Sequence, residues 1–583
     1  MSFFQASTET EPLVNDFSDE DVTDTEEHMN NDSEEDEKDE YITEHPLANL
    51  DVDKLLVERL GEFGRYQQLT YLLVCLPAAL TAGITLGAVF TEYEPRHRCF
   101  VPGCDDADAA RYDDAFYFGF HNFTAAAGDA GCGMFRRVNN GTTCTAADFA
   151  PAEVEACDQF LFEDTIVKSS LVSEYGLVCS KNWEVPLSQS VFFAGVLVGA
   201  ITFGWLSDVW GRKNTFLFSL METTICGMAA AFSVDLDMFA VLQFFTAMGQ
   251  VGLFQTTFVL GVELVGPSKR VLCGVVIEYF FVLGELYLAV TAWQLRQWRA
   301  IQLANLAPGL LFLSYYFFLP ESVRWLVTKE RYSQAYSTLQ TVASRNKVQL
   351  PTQREMEAFK KQAEGGAEPS ESLLDLLRRP RLSCRLVVVF LCWFVITMIY
   401  YGLSMNASSL AGDVYVNFAL LSLCEVPGYT LSYLGMAWLG RRASLSSSLL
   451  VGGVACLVSS LAASHRTTST IFFLLGKFGA TAAFGTVYLY TGELFPTRVR
   501  SVCVGLSSMV GRVGAIISPY VGQLAPLTGL SWAPMSVFAG AGILSGLLTL
   551  TLPETRGTAL PRTLEEAENL GRSAATPLNN DQD

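Results

Sequence analysis

Twelve apolar runs, separated mostly by short polar loops, constrain this 583-residue chain more than any other feature. They fall near 68–92, 187–206, 214–233, 238–262, 271–293, 301–319, 384–403, 412–434, 443–462, 470–491, 502–523 and 533–552. A helix needs about 20 mostly apolar residues to cross the hydrocarbon layer of a bilayer, and these runs are close to that length. Half of the chain is hydrophobic and 17% is charged, below the roughly 25% typical of soluble proteins. The pattern predicts an all-α membrane protein with twelve spanning helices. Residues 94–186 interrupt the first two runs, and residues 320–383 divide the twelve into six plus six.

The formal net charge of −22 is concentrated at the start. Residues 1–60 contain DFSDEDVTDTEEHMNNDSEEDEKDE, which has almost no apolar content and cannot offset its own ordering entropy. That region is expected to be a disordered, cytosolic tail. No basic n-region with an apolar h-region opens the chain, so the first membrane helix is expected to direct insertion. Basic residues in short loops set orientation. Arg212, Lys213, Lys269, Arg270, Arg441, Arg442, Arg498 and Arg500 all fall on one side of a twelve-helix count, with both termini, 554–583 included, and the 320–383 linker. That side is expected to be the cytosol.

The 94–186 loop then faces outward. It holds Cys99, Cys104, Cys132, Cys144, Cys157 and Cys179, an even set that reads as a disulfide framework with its pairing left open. Sequons at Asn122 and Asn140 suit glycosylation there. A third at Asn406 lies close to a membrane segment, and one at Asn31 falls in the tail.

The halves carry matching punctuation. GWLSDVWGRK ends the second run and LSYLGMAWLGRR the eighth, with Gly211 and Gly440 229 positions apart. ELVGPSKR matches ELFPTRVR, so Glu263 answers Glu493 and Arg270 answers Arg500, each at an offset of 230. PES at Pro320 answers PET at Pro553. Such spacing implies two six-helix bundles, 61–319 and 384–553, related by a parallel repeat, the arrangement of the major facilitator fold. Glycine permits tight turns, and paired acidic and basic residues recurring in both halves suit gating as well as topology. Asp208, Gly211, Arg212, Glu263, Arg270, Glu493 and Arg500 are the gating candidates. Asp208 is expected to latch the bundles when the outer side is open; Ala437 takes its place in the second half.

GEFGRYQ, RHRCFVPGC, GWLSDVWGRKN, PESVRWLVTKER and TGELFPTRVRS resemble the organic cation, carnitine and organic anion transporters of the major facilitator superfamily, over residues 61–570. MGQ, FVLGVE and LGKFGATAAFGTVYLYTGELFPTRVR look like its carnitine and zwitterion branch. The resemblance implies alternating-access transport of small charged organic solutes at the plasma membrane. It also implies that Glu278, Phe281, Trp393, Tyr400, Glu425 and Arg512 line a central cavity. Arginine at 512 looks like the carnitine and anion branches, where the cation branch has an acidic residue. Leu253 and Phe254 replace the polar pair of the sodium-coupled carnitine branch, which argues against sodium dependence.

Ionisable groups inside membrane helices are costly, which makes each a site candidate. Glu278 and Glu285, seven apart, share a helix face. A carboxylate or an aromatic face stabilises an amine cation, and a guanidinium fork suits a carboxylate. The structural alternatives are a permanent pairing of Arg512 with Glu425 or another helix residue that holds the bundles together, and plain packing for Trp393 and Tyr400. Lys477, near a helix end, is expected to snorkel to the interface.

Together these features predict a carrier of small organic cations or zwitterionic amines, such as carnitine, carcinine, β-alanine or biogenic amines. A ligand-sensing receptor on the same scaffold and an organic anion carrier are the alternatives. The five histidines are scattered over tail and loops, and the outer cysteines lack a compact C-x2-C pair, so neither catalysis nor a metal site is expected. Gly195 and Gly199 read as a close-packing GxxxG rather than a nucleotide loop. The expected partners are the substrate and the bilayer, with no cofactor and no nucleic acid.

Overall fold

The computed structural model describes residues 47–48, 50–101, 105, 112, 132–138, 149–356, 359–360, 372–410, 412–558 and 560–571. Each of the twelve apolar runs is a helix. In the first half these are α1 Arg65–Thr85, α2 Glu184–Trp210, α3 Arg212–Ala230, α4 Leu236–Glu263, α5 Arg270–Leu295 and α6 Trp298–Phe312. In the second they are α7 Pro380–Met405, α8 Val414–Trp438, α9 Arg441–Leu461, α10 Arg466–Leu494, α11 Thr497–Gly522 and α12 Ala533–Thr549. Among the described residues, nine helical stretches are long and apolar enough to cross a membrane by length and composition. The others, α3, α6 and α12, are among the shorter helices, and α6 tightens into a 3-10 turn at Leu313–Tyr316.

Helix pairing repeats between the halves. α2 packs on α4, α3 on α4, α1 on α5 and α3 on α6; correspondingly α8 packs on α10, α9 on α10, α7 on α11 and α9 on α12. The bundles meet through α5 against α8 and α2 against α11, which are equivalent pairs under the repeat. A side chain at Gly195 or Gly199 would collide with the backbone of Phe244 or Met248 on α4, so this GxxxG allows two helices to approach closely.

The bundles are closed against each other on the side of the 94–186 loop. The Phe90 ring stacks on Tyr415 with centroids 5.4 Å apart, Phe193 meets Tyr401 at 4.8 Å, and Ser190 Oγ donates to Ile516 O at 2.8 Å. On the side of the termini, among the described residues, every ion pair stays within one half.

The loop contains two small antiparallel sheets, His97–Cys99 with Phe160–Phe162 and Gly133–Arg137 with Phe149–Ala156. Cys99 is bonded to Cys157 and Cys132 to Cys179. Cys104, Cys144, Asn122 and Asn140 lie outside the described residues. Asn406 Nδ2 donates to Gly402 O at 2.7 Å. The loop is fastened to the first bundle where Glu174 accepts from Trp298 Nε1 at 2.6 Å and pairs with Arg299.

The expectation of a tail disordered through residue 60 requires correction. Leu47, Leu50, Val52, Leu55, Leu56 and Leu60 are buried against Trp325, Leu326, Leu339, Val342 and Phe359 of the linker. The acidic run stops before these leucines, which supply an apolar face large enough to dock. Asp53 locks the contact through Arg270 and Arg324. Burial works against its charge, but hydrogen bonds from Arg324 and Arg270 hold the carboxyl down at about 2.

Candidate functional site

Where α5 crosses α8, Tyr279 Oη and Thr430 Oγ1 stand 2.8 Å apart, joining the two bundles. Further along α8, Glu425 is 1% exposed. Tyr400 on α7 donates its hydroxyl to the Glu425 carboxylate, 2.9 Å from either oxygen. Lys477 on α10 places Nζ 2.7 Å from Glu425 Oε1 and donates to Ser404 Oγ at 2.6 Å. The same ammonium lies 3.2 Å from the centroid of the Tyr400 ring. Ammonium, carboxylate and aromatic face thus satisfy one another in a dry setting, as buried ions require.

Lys477 does not snorkel. It lies eleven residues into α10, about 16 Å along the axis at 1.5 Å per residue, too deep for its stem to regain the interface. Its depth within a long helix was the available signal; the partner lies on another helix and could not be read from periodicity.

From the other bundle, Glu285 is 1% exposed and faces Glu425 and Ser422. Glu278, two turns back on α5, is half-buried and reaches the Tyr429 hydroxyl. Phe281, on the same helix, is buried edge-to-face with Phe254. Trp393 is fully enclosed in the second bundle, its Nε1 donating to Thr491 Oγ1 at 3.0 Å and its ring 4.3 Å from that of Tyr488.

Arg512 on α11 is half-buried among Tyr401, Tyr488 and Ser508. Its Nη1 donates to Ser508 O at 3.3 Å and to Ser508 Oγ, while its Nε is buried without a hydrogen-bond partner. Among the described residues no carboxylate is paired with it, so a permanent Arg512–Glu425 bridge is absent and Glu425 is committed to Lys477. The membrane-buried residues therefore present carboxylates and aromatic rings at one place and a guanidinium with spare donors at another.

The model for the sugar (and other) transporter family matches residues 146–570. An organic cation transporter protein of Drosophila melanogaster is 34% identical over 539 residues, 89% of this chain and 95% of that one. The human organic cation/carnitine transporter 2 is 34% identical over 524 residues, 87% and 92% of the two chains. The chain belongs to the organic cation and carnitine transporter family. The fold resembles the E. coli xylose transporter in its inward open conformation, with a TM-score of 0.56 at 14% identity, covering 87% of this chain and all of that one. A partially occluded inward open form of the same protein gives 0.57 at 15% identity, covering 85% and 100%. The protein is a membrane transporter and not an enzyme.

The loop residues of this transporter form two matching clusters. Arg212 pairs with Asp208 at 3.0 Å and Glu263 at 3.2 Å, and Arg441 pairs with Glu493 at 3.0 Å. Gly211 and Gly440 take φ of +102° and +92°, a region that favours glycine. Beside them Glu321 accepts from the backbone N of Arg212 at 2.9 Å, and Glu554 from that of Arg441 at 2.8 Å. These glutamates, the E of PES and PET, cap the N-termini of α3 and α9, where a helix dipole favours an anion. Their acidic character beside a repeated proline was visible in the sequence; their capping role was not. Arg270 pairs with Asp53, whereas its counterpart Arg500 donates to Thr497 Oγ1 at 3.4 Å.

Among the described residues, His97, Cys132 and Cys179 cluster closely enough to suggest a metal site. Cys132 and Cys179 are bonded to each other, so neither offers a thiolate.

Proposed function

We propose that this transporter moves small organic cations and zwitterionic amines across the plasma membrane by alternating access, with both termini in the cytosol. The structure then represents a state closed toward the outside. The supporting observation is the separation of charge among these buried residues: Glu425 is held with Tyr400 and Lys477, while Arg512 keeps donors unpaired with any described carboxylate. An amine end finds carboxylates and rings, and a carboxylate end finds a guanidinium. Glu278, Phe281, Trp393, Tyr400, Glu425 and Arg512 are the substrate-site residues in this reading. Carnitine, carcinine, β-alanine and biogenic amines have suitable chemistry. The relatives named for organic cations and carnitine support the same substrate class. Leu253 and Phe254 on α4 offer no polar side chain for sodium, so sodium-independent transport is the corresponding proposal.

The two loop clusters are assigned to gating, with Asp208, Gly211, Arg212, Glu263 and Arg270 in one and Glu493 and Arg500 in the other. Asp208 now pairs within its own bundle, and a latch across the bundles would form only in the opposite, outward-open state.

Proteoliposomes carrying the purified protein should take up labelled simple cations and zwitterions saturably, with sodium replaced by choline-free potassium buffer. Saturable binding without flux would support the receptor reading, and preference for simple anions would support the anion carrier.

A further inference from the structure

A cavity of about 420 Å³ opens on the side of the termini, between the start of α3 and the linker helix Tyr332–Asn346. That volume falls within the range of small-molecule sites. Two cations line it. Lys213, the second residue of α3, holds Nζ 5.3 Å from the centroid of the Tyr316 ring, and the Arg331 guanidinium lies 5.1 Å from that of Trp325. Among the described residues neither cation is paired with a carboxylate. Ser333, Gln334, Ser337 and Thr338 add a neutral polar wall, spaced so that they share one face of the linker helix. Glu321, the acidic residue in the lining, has its oxygens occupied. Its Oε1 accepts from the backbone N of Arg212 and of Ser322, each at 2.9 Å, and both oxygens accept from that of Lys213 at 3.3 Å. The N-terminus of α3 is thus already capped, and the attraction of this cavity for an anion comes from Lys213 and Arg331.

The cavity lies at the membrane surface. Phe317 and Phe318, just past the end of α6, are 78% and 72% exposed, as aromatic residues at a bilayer–water boundary are. The next two residues, Leu319 and Pro320, line the cavity. The repeat does not account for it. Arg442 stands where Lys213 does, but after α12 the described residues supply only the six-residue helix Leu564–Asn569, which packs on α7. The polar linker residues are therefore an addition to the first half. We propose that this cavity binds a phosphate-bearing polyol, and that its source is the headgroup of a phosphoinositide in the adjoining leaflet. Phosphate oxygens take charge-assisted bonds from Lys213 and Arg331, ring hydroxyls bond to the serines, Gln334 and Thr338, and the acyl chains run beside Phe317 and Phe318. From the transporter reading the proposal takes only that this side is the cytosol, whose leaflet carries the anionic lipids. A ligand spanning α3 and the linker helix fastens the linker to the first bundle.

The test follows the melting midpoint of the full-length protein in detergent as short-chain phosphatidylinositol bisphosphate is added, with short-chain phosphatidylcholine as control. The phosphoinositide should raise the midpoint saturably, because a ligand of the folded state stabilises it. An equal rise with phosphatidylcholine overturns phosphate recognition. Lys213→Gln and Arg331→Gln should each raise the half-saturating concentration about tenfold or more, as the loss of one charge-assisted bond implies. Ser337→Glu places a carboxylate against the phosphates at an exposed position and should weaken the response likewise, which keeps the test open where a glutamine variant is too unstable to melt cleanly. Inositol trisphosphate, a headgroup without chains, separates the sources and should bind about tenfold more weakly than the lipid. Equal affinity for the two overturns the lipid source in favour of a soluble polyphosphate. No response to either compound, or responses unchanged by all three substitutions, overturns the site. Melting is read without flux, so a negative result leaves the transporter reading untouched, and a wild type that moves no cation yet responds to the lipid keeps the site while the transporter reading fails.

Discussion

Arg212 and Arg441, 229 positions apart, are held in the same way: the backbone N of each donates to a glutamate that follows the last helix of its half, and each guanidinium pairs with the glutamate ending the fourth or tenth helix. The likeness extends to the glycine before each arginine, whose positive φ brings the turn against Glu321 or Glu554.

Gly211→Ala and Gly440→Ala should both destabilise the protein. An added Cβ overlaps Glu321 Oε2 or Glu554 Oε2, and left-handed strain costs about 1–3 kcal/mol. Lower melting midpoints and reduced yield in detergent are the expected results. Glu321→Gln should be milder, because an amide oxygen still accepts from the helix N-terminus.

Lys477→Met should be severe. It leaves Glu425 buried without its cation, which costs about 3–5 kcal/mol when one member of a buried pair is removed. The double variant Lys477→Met/Glu425→Gln should recover much of that loss in thermal melts while remaining defective in amine uptake. A double variant as unstable as the single one would show that Lys477 acts through packing.

Arg512→Ala should discriminate between substrates. A charge-assisted bond is worth about 1.5–3 kcal/mol, so kcat/KM for carnitine should fall about tenfold or more. Uptake of tetraethylammonium should change little. Equal losses for both, at normal protein levels, count against a carboxylate subsite.

Asp53→Ala should release the segment Leu47–Leu60 from the linker helices. Asp53 is partly exposed, so the stability effect is small once solvent screening is considered. Faster amide exchange across 50–60, with little change elsewhere, is the expected signature.

Acidification should loosen the attachment of the loop through Glu174. Burial raises that carboxyl, but hydrogen bonds from Arg299 and Trp298 prevail and hold it below the ordinary carboxylate value. Its contribution is thus present above the ordinary carboxylate range and lost as pH falls through its lowered value. Glu174→Gln should remove this part of the acid sensitivity, read as the change in melting midpoint between neutral and acidic buffer.

The number and approximate spans of the twelve helices, and their division into two repeated bundles, were legible in the chain. Hydrocarbon demands long apolar runs, and a duplicated half repeats its loop punctuation at a nearly constant offset. The family resemblance rested on the same loops. Tertiary structure alone decided which charges meet. Glu425 and Lys477 lie on different helices, and Glu285 reaches Glu425 from the other bundle; such meetings depend on helix rotation and depth, which a hydrophobic pattern specifies only coarsely. The docking of Leu47–Leu60 was hidden for a related reason: an apolar face six leucines and valines wide becomes stable only when the linker supplies its other half.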